Sequence, residues 1–200
     1  MAQRKELRHI CLTGFMGSGK STIGKILSKH FRIQFVDTDD RIESAEGMSV
    51  KEIFRQKGED FFRKKETEHI LRELDASEVR IISLGGGALM HNPNREHVRE
   101  KALLIYIYSR PEEIYQRIKH STKRPLFRAD NEEITEEQSL LRIRDLMDQR
   151  AEGYSQAYIV FGRDQMNAEE AAKKLYDMIR NGYPEFQAAT GENRKNANAE

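Results

Sequence analysis

The segment at residues 14–21, GFMGSGKS, constrains this chain more than any other feature of the sequence. It matches the pattern G-x-x-x-x-G-K-[ST], in which a strand comes directly before the glycines and a helix begins at the lysine. That context is predicted here, because an apolar run precedes the motif at residues 9–13 and an amphipathic pattern follows it at residues 21–30. Glycines let successive backbone N–H groups point at phosphate oxygens near the positive end of a helix, so the segment predicts a nucleotide phosphate site.

Each polar residue of this motif has a predicted role. Lys20 would reach the β- and γ-phosphates of the nucleotide, and the Ser21 hydroxyl would bind Mg²⁺. The alternative is a glycine-rich turn followed by an ordinary surface lysine. The motif does not identify the phosphoryl acceptor, because GTPases, ATPases and kinases share it. The predicted nucleotide-binding residues of the segment are Gly14, Gly17, Ser18, Gly19, Lys20, Ser21 and Thr22.

Short apolar runs alternate with longer amphipathic stretches along the chain. This alternation predicts an α/β fold, in which a parallel sheet is covered by helices on both faces. Residues 50–74 interrupt it with a helical pattern and no strand signal, which predicts a helical substrate-binding lobe, and residues 120–135 predict a loop that closes as a lid. The predicted strands are residues 9–13, 34–36, 80–84, 102–108 and 158–161.

The length of 200 residues predicts one domain, over residues 1–183, in which the lobe spans residues 40–79. Residues 184–200 are poor in large apolar side chains and predict a disordered tail. Lys and Arg number 34 against 33 Asp and Glu, and this balance argues against a nucleic-acid partner.

The sequence contains no apolar run long enough to span a bilayer and no signal-peptide pattern, so we expect no membrane partner and a cytoplasmic location. The single cysteine, Cys11, lies in an apolar run and is predicted to be buried. The sequence does not reveal an oligomeric state, and a monomer is the simplest expectation.

Carboxylates follow the second predicted strand, in the sequence Asp37-Thr38-Asp39-Asp40. Ligands bind at the carboxyl ends of parallel strands, and two residues that are two apart on an extended segment point the same way. We therefore expect one of Asp37 and Asp39 to hold a water on Mg²⁺ and the other to accept a proton from an attacking hydroxyl. The alternative is that Asp39 or Asp40 caps a helix beginning at Arg41.

Two arginines fall on apolar faces of predicted helices. Arg63 shares a face with Ile70 and Leu74, and Arg150 lies within a later stripe of apolar residues. Because a guanidinium binds a carboxylate through two parallel hydrogen bonds, this pair predicts a carboxylate-bearing acceptor. The alternative for each is a stem that covers apolar surface or a pairing with a nearby residue such as Glu59.

Two further segments are weaker signals. Gly86 and Gly87 belong to a run of three glycines after the third predicted strand, where backbone N–H groups could approach a ligand. Arg124 lies in the predicted lid, where a cation could neutralise charge on a transferring phosphoryl group. A flexible turn and a solvated basic loop are the respective alternatives.

In their order along residues 8–180, these motifs resemble the shikimate kinase family: GFMGSGKS, DTD, Phe62-Arg63-Lys64-Lys65-Glu66, GGG, RPL, and a helical arginine followed by a tyrosine. The resemblance implies transfer of the ATP γ-phosphoryl group to the 3-hydroxyl of shikimate, on the route to chorismate and aromatic amino acids. It also implies a three-layer α/β/α P-loop fold with a five-stranded parallel sheet.

By position, the resemblance assigns roles to single residues. Lys20 and Ser21 match the ATP and Mg²⁺ residues, Asp37 the outer magnesium carboxylate, Asp39 the carboxylate on the shikimate hydroxyl, and Arg124 the lid arginine; the catalytic set would be Lys20, Asp39 and Arg124. Arg63, Gly86, Gly87 and Arg150 match shikimate-binding positions, and Arg117 matches an arginine that stacks on adenine.

One segment departs from the family. After the last strand the family often has valine-aspartate-threonine, whereas this chain reads Val160-Phe161-Gly162-Arg163-Asp164. Adenine contacts are therefore not carried over to residues 163–167. Two other functions stay open from the sequence alone, namely a kinase of another hydroxylated acid such as gluconate, and a nucleotide-binding regulator without turnover.

Overall fold

The computed structural model describes residues 7–119, 128–129, 132–133 and 135–188. Within these residues, parallel strands form a five-stranded sheet and two short strands form a separate antiparallel pair. The strands are β1 (His9–Thr13), β2 (Gln34–Asp37), β3 (Arg80–Ser83), β4 (Ala102–Tyr108), β5 (Arg128–Ala129), β6 (Glu132–Glu133) and β7 (Ile159–Gly162). The large sheet has the order β2-β3-β1-β4-β7.

Helices connect the strands of the large sheet. They are α1 (Lys20–Phe31), α2 (Thr38–Glu46), α3 (Val50–Lys57), α4 (Glu59–Leu74), α5 (Asn92–Lys101), α6 (Pro111–Ile118), α7 (Glu136–Gln149), α8 (Ala151–Tyr154), α9 (Ala168–Gly182) and α10 (Glu185–Ala188). A short 3₁₀ helix, η1, spans Ala88–Met90.

Alternate residues of the central strands pack on opposite faces of the sheet. Ile10 and Leu12 of β1 pack in one cluster with side chains of α1 and α9, whereas Cys11 packs in another with side chains of α4 and α5. This alternation places helices on both faces, because successive side chains of a strand point in opposite directions. The prediction of an α/β fold with a covered parallel sheet is confirmed, and Cys11 is buried as expected.

The carboxyl ends of three strands meet along one edge of the sheet. Asp37 at the end of β2 pairs in register with Ser83 at the end of β3, and Leu12 of β1 also pairs with Ser83. The segments that leave these strands therefore emerge side by side. They are the glycine-rich segment at residues 14–21, the start of α2 and the glycines at residues 85–87.

Helices α2, α3 and α4 carry a small apolar cluster of their own. Ile42, Ile53 and Phe62 are buried together, with one residue from each helix. Residues 50–74 are helical as predicted, and Gly58 separates α3 from α4 with a backbone φ of 83°. The other end of α4 belongs to the sheet, because Ile70 and Leu74 pack with β1 and β3.

The prediction of disorder from residue 184 is wrong at its start. Glu185–Ala188 form α10, and Phe186 is 1% exposed in the cluster built on α1 and α9. The composition of the tail does not predict this helix, because its ordering depends on the burial of one aromatic side chain, Phe186. Residues 189–200, and most of the predicted lid at 120–135, lie outside the described residues. No helix of the described part is long and apolar enough to cross a membrane.

Candidate active site

The glycine-rich segment forms a tight loop between β1 and α1. Gly14 and Gly19 have φ angles of 146° and 96°, in the region that favours glycine. A Cβ atom at Gly14 would lie 2.5 Å from the Ile107 carbonyl oxygen, so this position has no room for a side chain. The loop therefore brings backbone N–H groups to the start of α1, as the motif predicts.

Lys20 folds back over this loop. Its Nζ donates to the carbonyl oxygens of Gly14 at 2.8 Å and Phe15 at 3.2 Å. The ammonium is thus held at the mouth of the loop, where a bound phosphate would meet it. The pocket beside the loop is lined by Gly17, Gly19, Lys20, Ser21, Thr22, Arg117, Ile118 and Arg163.

Ser21 and Asp37 form a pair of oxygen donors at the edge of the sheet. The Ser21 hydroxyl donates to Asp37 Oδ2 at 2.6 Å. Mg²⁺ prefers oxygen ligands and takes few of them from protein, so these residues fit the ion. No group of three or more His, Cys, Asp or Glu side chains that could hold a metal ion occurs in the described part of the chain.

The geometry expected for Asp37 and Asp39 is wrong. Helix α2 begins at Thr38, and Asp37 is its N-cap, with Oδ1 accepting from the Asp39 N–H at 3.1 Å. Asp39 therefore lies in the first helical turn, and the two carboxylates are not side by side on an extended segment. The alternative of a helix beginning at Arg41 is also wrong, because the helix begins three residues earlier, at Thr38, and its cap is Asp37. Helix formation prevails here because an aspartate cap satisfies an N–H of the first turn.

Asp39 faces a second carboxylate, Glu66, across Gly85. A Cβ atom at Gly85 would lie 2.9 Å from Asp39 Oδ1 and 2.5 Å from Glu66 Oε1. Both oxygens are buried and have no hydrogen-bond partner among the described residues. Burial, together with the charges of Asp37 and Glu66, raises the pKa of Asp39 to about 7, and Lys20 opposes this shift. Burial also raises the pKa of Glu66, against the effect of Arg63.

Arg63 lies on the inner side of α4 and is held by two carboxylates. Its Nη1 donates to Glu66 at 2.8 Å, and Nε and Nη2 donate to Glu59 at 3.1 and 3.0 Å. The pairing with Glu59 matches the alternative reading of this arginine. However, a Cβ atom at Gly87 would lie 3.0 Å from Arg63 Nη2, so the guanidinium also borders the run of glycines.

Arg150 reaches the same glycines from the other side. It ends α7 rather than lying within a helical stripe, with φ −100° and ψ 0° before α8 begins. Its guanidinium lies over the Phe15 ring at 5.4 Å, and a Cβ atom at Gly86 would lie 3.0 Å from Nη1. The Tyr154 hydroxyl donates to the Gly86 carbonyl at 3.0 Å, which fixes this turn against α8.

The structure thus brings together Asp39, Arg63, Gly86, Gly87 and Arg150 beside the glycine-rich loop. Arg117 lies on the nucleotide side, where its guanidinium donates to Ser109 and Glu113 and lines the pocket. Arg124 lies outside the described residues.

Two residues of the site were given no role by sequence reasoning. Glu66 is completely buried, and its spacing of three residues from Arg63 on one helix was a usable signal. Arg163 is 8% exposed, and its guanidinium donates to the Ser18 carbonyl at 3.1 Å. No sequence pattern indicates this contact, because the two residues are 145 positions apart.

Comparisons with known proteins match this arrangement. The model of a family described as shikimate kinase matches residues 16–180. A shikimate kinase of Dehalococcoides mccartyi is 36% identical over 173 residues, which cover 86% of this chain and 93% of that protein.

Solved structures extend the comparison to the fold. A shikimate kinase from Acinetobacter baumannii in complex with shikimate superposes with a TM-score of 0.78 and 29% identity, covering 90% of this chain and 96% of that one. A gluconokinase from Sinorhizobium meliloti, at 15% identity, a TM-score of 0.50 and coverage of 90% and 99%, shares the fold alone.

Proposed function

The chain belongs to the shikimate kinase family, and on that premise we propose which of its residues bind the two substrates and transfer the phosphoryl group. It is an ATP-dependent enzyme that moves the γ-phosphoryl group of ATP to the 3-hydroxyl of shikimate, giving shikimate 3-phosphate and ADP. Its substrates are therefore small molecules.

The observation that carries the assignment of residues is the position of Asp39. This half-buried carboxylate lies next to the glycine-rich loop and near two inward arginines, and its buried Oδ1 has no hydrogen-bond partner among the described residues. A carboxyl group with a pKa of about 7 is suited to accept a proton near neutral pH. We assign Asp39 as the general base.

Transfer proceeds in line. As the 3-hydroxyl oxygen of shikimate bonds to the γ-phosphorus, the bond between that phosphorus and the β,γ-bridging oxygen breaks, and ADP leaves with this electron pair. The hydroxyl proton passes to the Asp39 carboxylate. Lys20 stabilises the charge on the β- and γ-phosphates, from a position within reach of its present carbonyl partners.

Ser21 and Asp37 would hold Mg²⁺, Ser21 directly and Asp37 through a water. When bound, this ion neutralises phosphate charge and orients the γ-phosphoryl group. The other nucleotide contacts are assigned to the N–H groups of Gly14, Gly17, Ser18 and Gly19, to Thr22, and to Arg117 against adenine.

Arg63 and Arg150 would bind the shikimate carboxylate from two sides of Gly86 and Gly87. The two guanidiniums belong to different helical segments but border adjacent glycines. One carboxylate would therefore be bound by both of them. Glu66 holds Arg63 in this position through its hydrogen bond at 2.8 Å. The role of Arg124 as a lid cation stays a prediction from the sequence, as does the monomeric state.

A coupled assay of ADP production tests the acceptor. We expect turnover with shikimate and little with gluconate, which lacks the cyclohexene ring but offers a carboxylate and hydroxyls. Faster turnover with gluconate would overturn the assignment of shikimate as the acceptor. The absence of ADP production with either acid, in a protein that binds ATP, would favour a nucleotide-binding regulator.

A further inference from the structure

Arg163 is buried at the nucleotide pocket, and no ion pair joins it to a carboxylate among the described residues. It is 8% exposed and lines the pocket together with Gly19 and Arg117. The two carboxylates that act on it, Glu113 and Asp164, are each paired with another arginine, Arg117 and Arg110.

A buried cation in this environment is costly for the ligand-free protein. Burial lowers the pKa of Arg163, and the neighbouring Arg117 lowers it further. The Nε atom is buried and has no hydrogen-bond partner among the described residues. A residue that served stability alone would be better replaced by an apolar side chain of similar length. The position of Arg163 therefore calls for an explanation in ligand binding.

The Arg163 guanidinium joins two loops of the pocket. Its Nη1 donates to the Ser18 carbonyl in the glycine-rich loop at 3.1 Å, and its Nη2 donates to the Met166 carbonyl at 3.4 Å. The backbone of this turn is itself fixed, because the Arg163 N–H donates to Tyr108 and the Asp164 carboxylate accepts from Arg110. Arg163 thus connects the glycine-rich loop to a rigid part of the sheet edge.

Peptide geometry gives this contact a consequence for phosphate binding. The Ser18 carbonyl and the Gly19 N–H belong to one planar peptide unit, and in a trans peptide they point in opposite directions. A guanidinium that holds the carbonyl on one side therefore directs the N–H to the other side, where the motif binds phosphates. The approach is close, since a Cβ atom at Gly19 would lie 1.8 Å from Arg163 Nη1.

We propose that Arg163 is a positioning residue of the nucleotide site, which holds the Ser18 carbonyl so that the Gly19 N–H points at the bound phosphates. The inference rests on the proposed assignment of Gly19 to the phosphate site.

The test compares Arg163→Met and Arg163→Lys with the control Arg99→Met, which removes an exposed arginine of α5. Dissociation constants for ATP, inorganic triphosphate and shikimate are measured by calorimetry, along with the Tm of the ligand-free proteins. Arg163→Met should raise the Kd for ATP and for inorganic triphosphate about tenfold, as expected for loss of a charge-assisted contact, and leave the Kd for shikimate unchanged. Arg163→Lys should recover part of the affinity, because a lysine keeps the charge without the planar fork. Arg99→Met should leave all three constants unchanged.

A second readout is the Gly19 amide proton in NMR spectra. It should shift strongly when ATP is added to the parent protein and much less in Arg163→Met. A fall in Tm with an unchanged Kd for ATP would overturn the proposal, since it would show a purely structural role. Weaker binding of ATP with unchanged binding of inorganic triphosphate would also overturn it, because the guanidinium would then act on the nucleoside. Full recovery by lysine would assign the effect to charge. If the parent protein itself fails to bind ATP, the proposed nucleotide site is wrong, and this outcome is separate from the others.

Discussion

The two halves of the active site are built in different ways. The phosphate site is a single loop of eight consecutive residues, and its contacts are made by backbone groups and by Lys20 folded over them. The acceptor site is assembled from side chains of separate elements, with Asp39 on α2, Arg63 and Glu66 on α4, and Arg150 between α7 and α8.

The two halves also differ in their charges. On the phosphate side, Lys20 is bonded to the neutral carbonyl groups of Gly14 and Phe15. On the acceptor side, positive and negative side chains already pair with each other, because Arg63 is bonded to Glu59 and Glu66. Shikimate must therefore compete with internal carboxylates for its arginine, whereas ATP meets fixed donors. We expect substitutions on the phosphate side to change the rate and substitutions on the acceptor side to change selectivity.

Replacement of Lys20 should have the largest effect. Lys20→Ala removes the cation that stabilises the transferring group, and turnover should fall about a thousandfold or more. The measurement is kcat in the coupled assay, with Lys29→Ala, an exposed lysine at the other end of α1, as the control. A Lys20→Ala enzyme that keeps its kcat would show that the loop binds nucleotide without taking part in transfer.

Replacement of Asp39 should have the next largest effect. This residue lies between the phosphate site and the acceptor site. Asp39→Asn cannot accept the hydroxyl proton, so kcat/KM should fall about 10²- to 10⁴-fold. The neighbouring Asp40→Asn, which changes an exposed carboxylate of the same turn, should retain near-parent activity. A fall of less than about threefold, far below the expected range, would contradict the role of Asp39 as base.

The same variant makes a prediction for stability. The raised pKa of Asp39 means that folding favours the protonated carboxyl, so ionisation destabilises the ligand-free protein as the pH rises towards 7. Asp39→Asn should therefore increase the free energy of unfolding at about pH 8 and change it little at about pH 4. Chemical denaturation at the two pH values measures the difference, and equal effects at both would contradict the burial of an ionised group.

The two arginines test the selectivity of the acceptor half. Arg63→Ala and Arg150→Ala should each raise the KM for shikimate about tenfold, as expected for loss of a charge-assisted hydrogen bond, and move the KM for ATP far less. Arg72→Ala, an exposed arginine on α4, is the matched control.

An amide analogue of shikimate sharpens this test. The parent enzyme should bind the acid much better than the neutral amide, and Arg150→Ala should discriminate less between them. Arginines that only stabilise their helices would lower the Tm of the variants but leave the preference for the acid intact. A folded double variant with that preference would rule out the carboxylate clamp.

The smallest expected effect concerns the electrostatic interaction between the carboxylates of Asp39 and Glu66. Because the charge of Glu66 helps to raise the pKa of Asp39, Glu66→Gln should lower the pH at which the Asp39 carboxyl titrates in the ligand-free protein, from a parent value of about 7. Carbon-13 NMR of the carboxyl groups measures the midpoint directly, with Glu59→Gln as the control. An unchanged midpoint would show that burial and the charge of Asp37 set the pKa of Asp39 without Glu66.

The contrast between the phosphate loop and the acceptor site explains how much could be predicted from the sequence. The phosphate loop was predictable in full, since its residues are consecutive and strand β1 has the boundaries that the apolar run at residues 9–13 predicts. The strands were predictable because buried parallel strands are continuous apolar runs. Most acceptor residues could be named by resemblance, but their geometry could not.

The errors arose where local and distant contacts compete. Asp37 and Asp39 were expected on an extended segment, but the aspartate cap begins a helix one residue after the strand. Arg150 was expected within a helix and instead ends it, because the turn into α8 packs Gly153 closely against Leu89. Phe186 orders α10 through a burial that composition does not reveal. The last two outcomes depend on residues far apart in the sequence, whereas the aspartate cap is a local contact.

The small apolar cluster of α2, α3 and α4 has an evolutionary consequence. Ile42, Ile53 and Phe62 form an interior separate from that of the sheet, and α4 passes from one interior to the other between Phe62 and Ile70. Arg63 and Glu66 lie on that crossing. Substitutions within the lobe can therefore alter how Arg63 and Glu66 meet the acceptor during evolution, while the interior of the sheet and the nucleotide half stay unchanged.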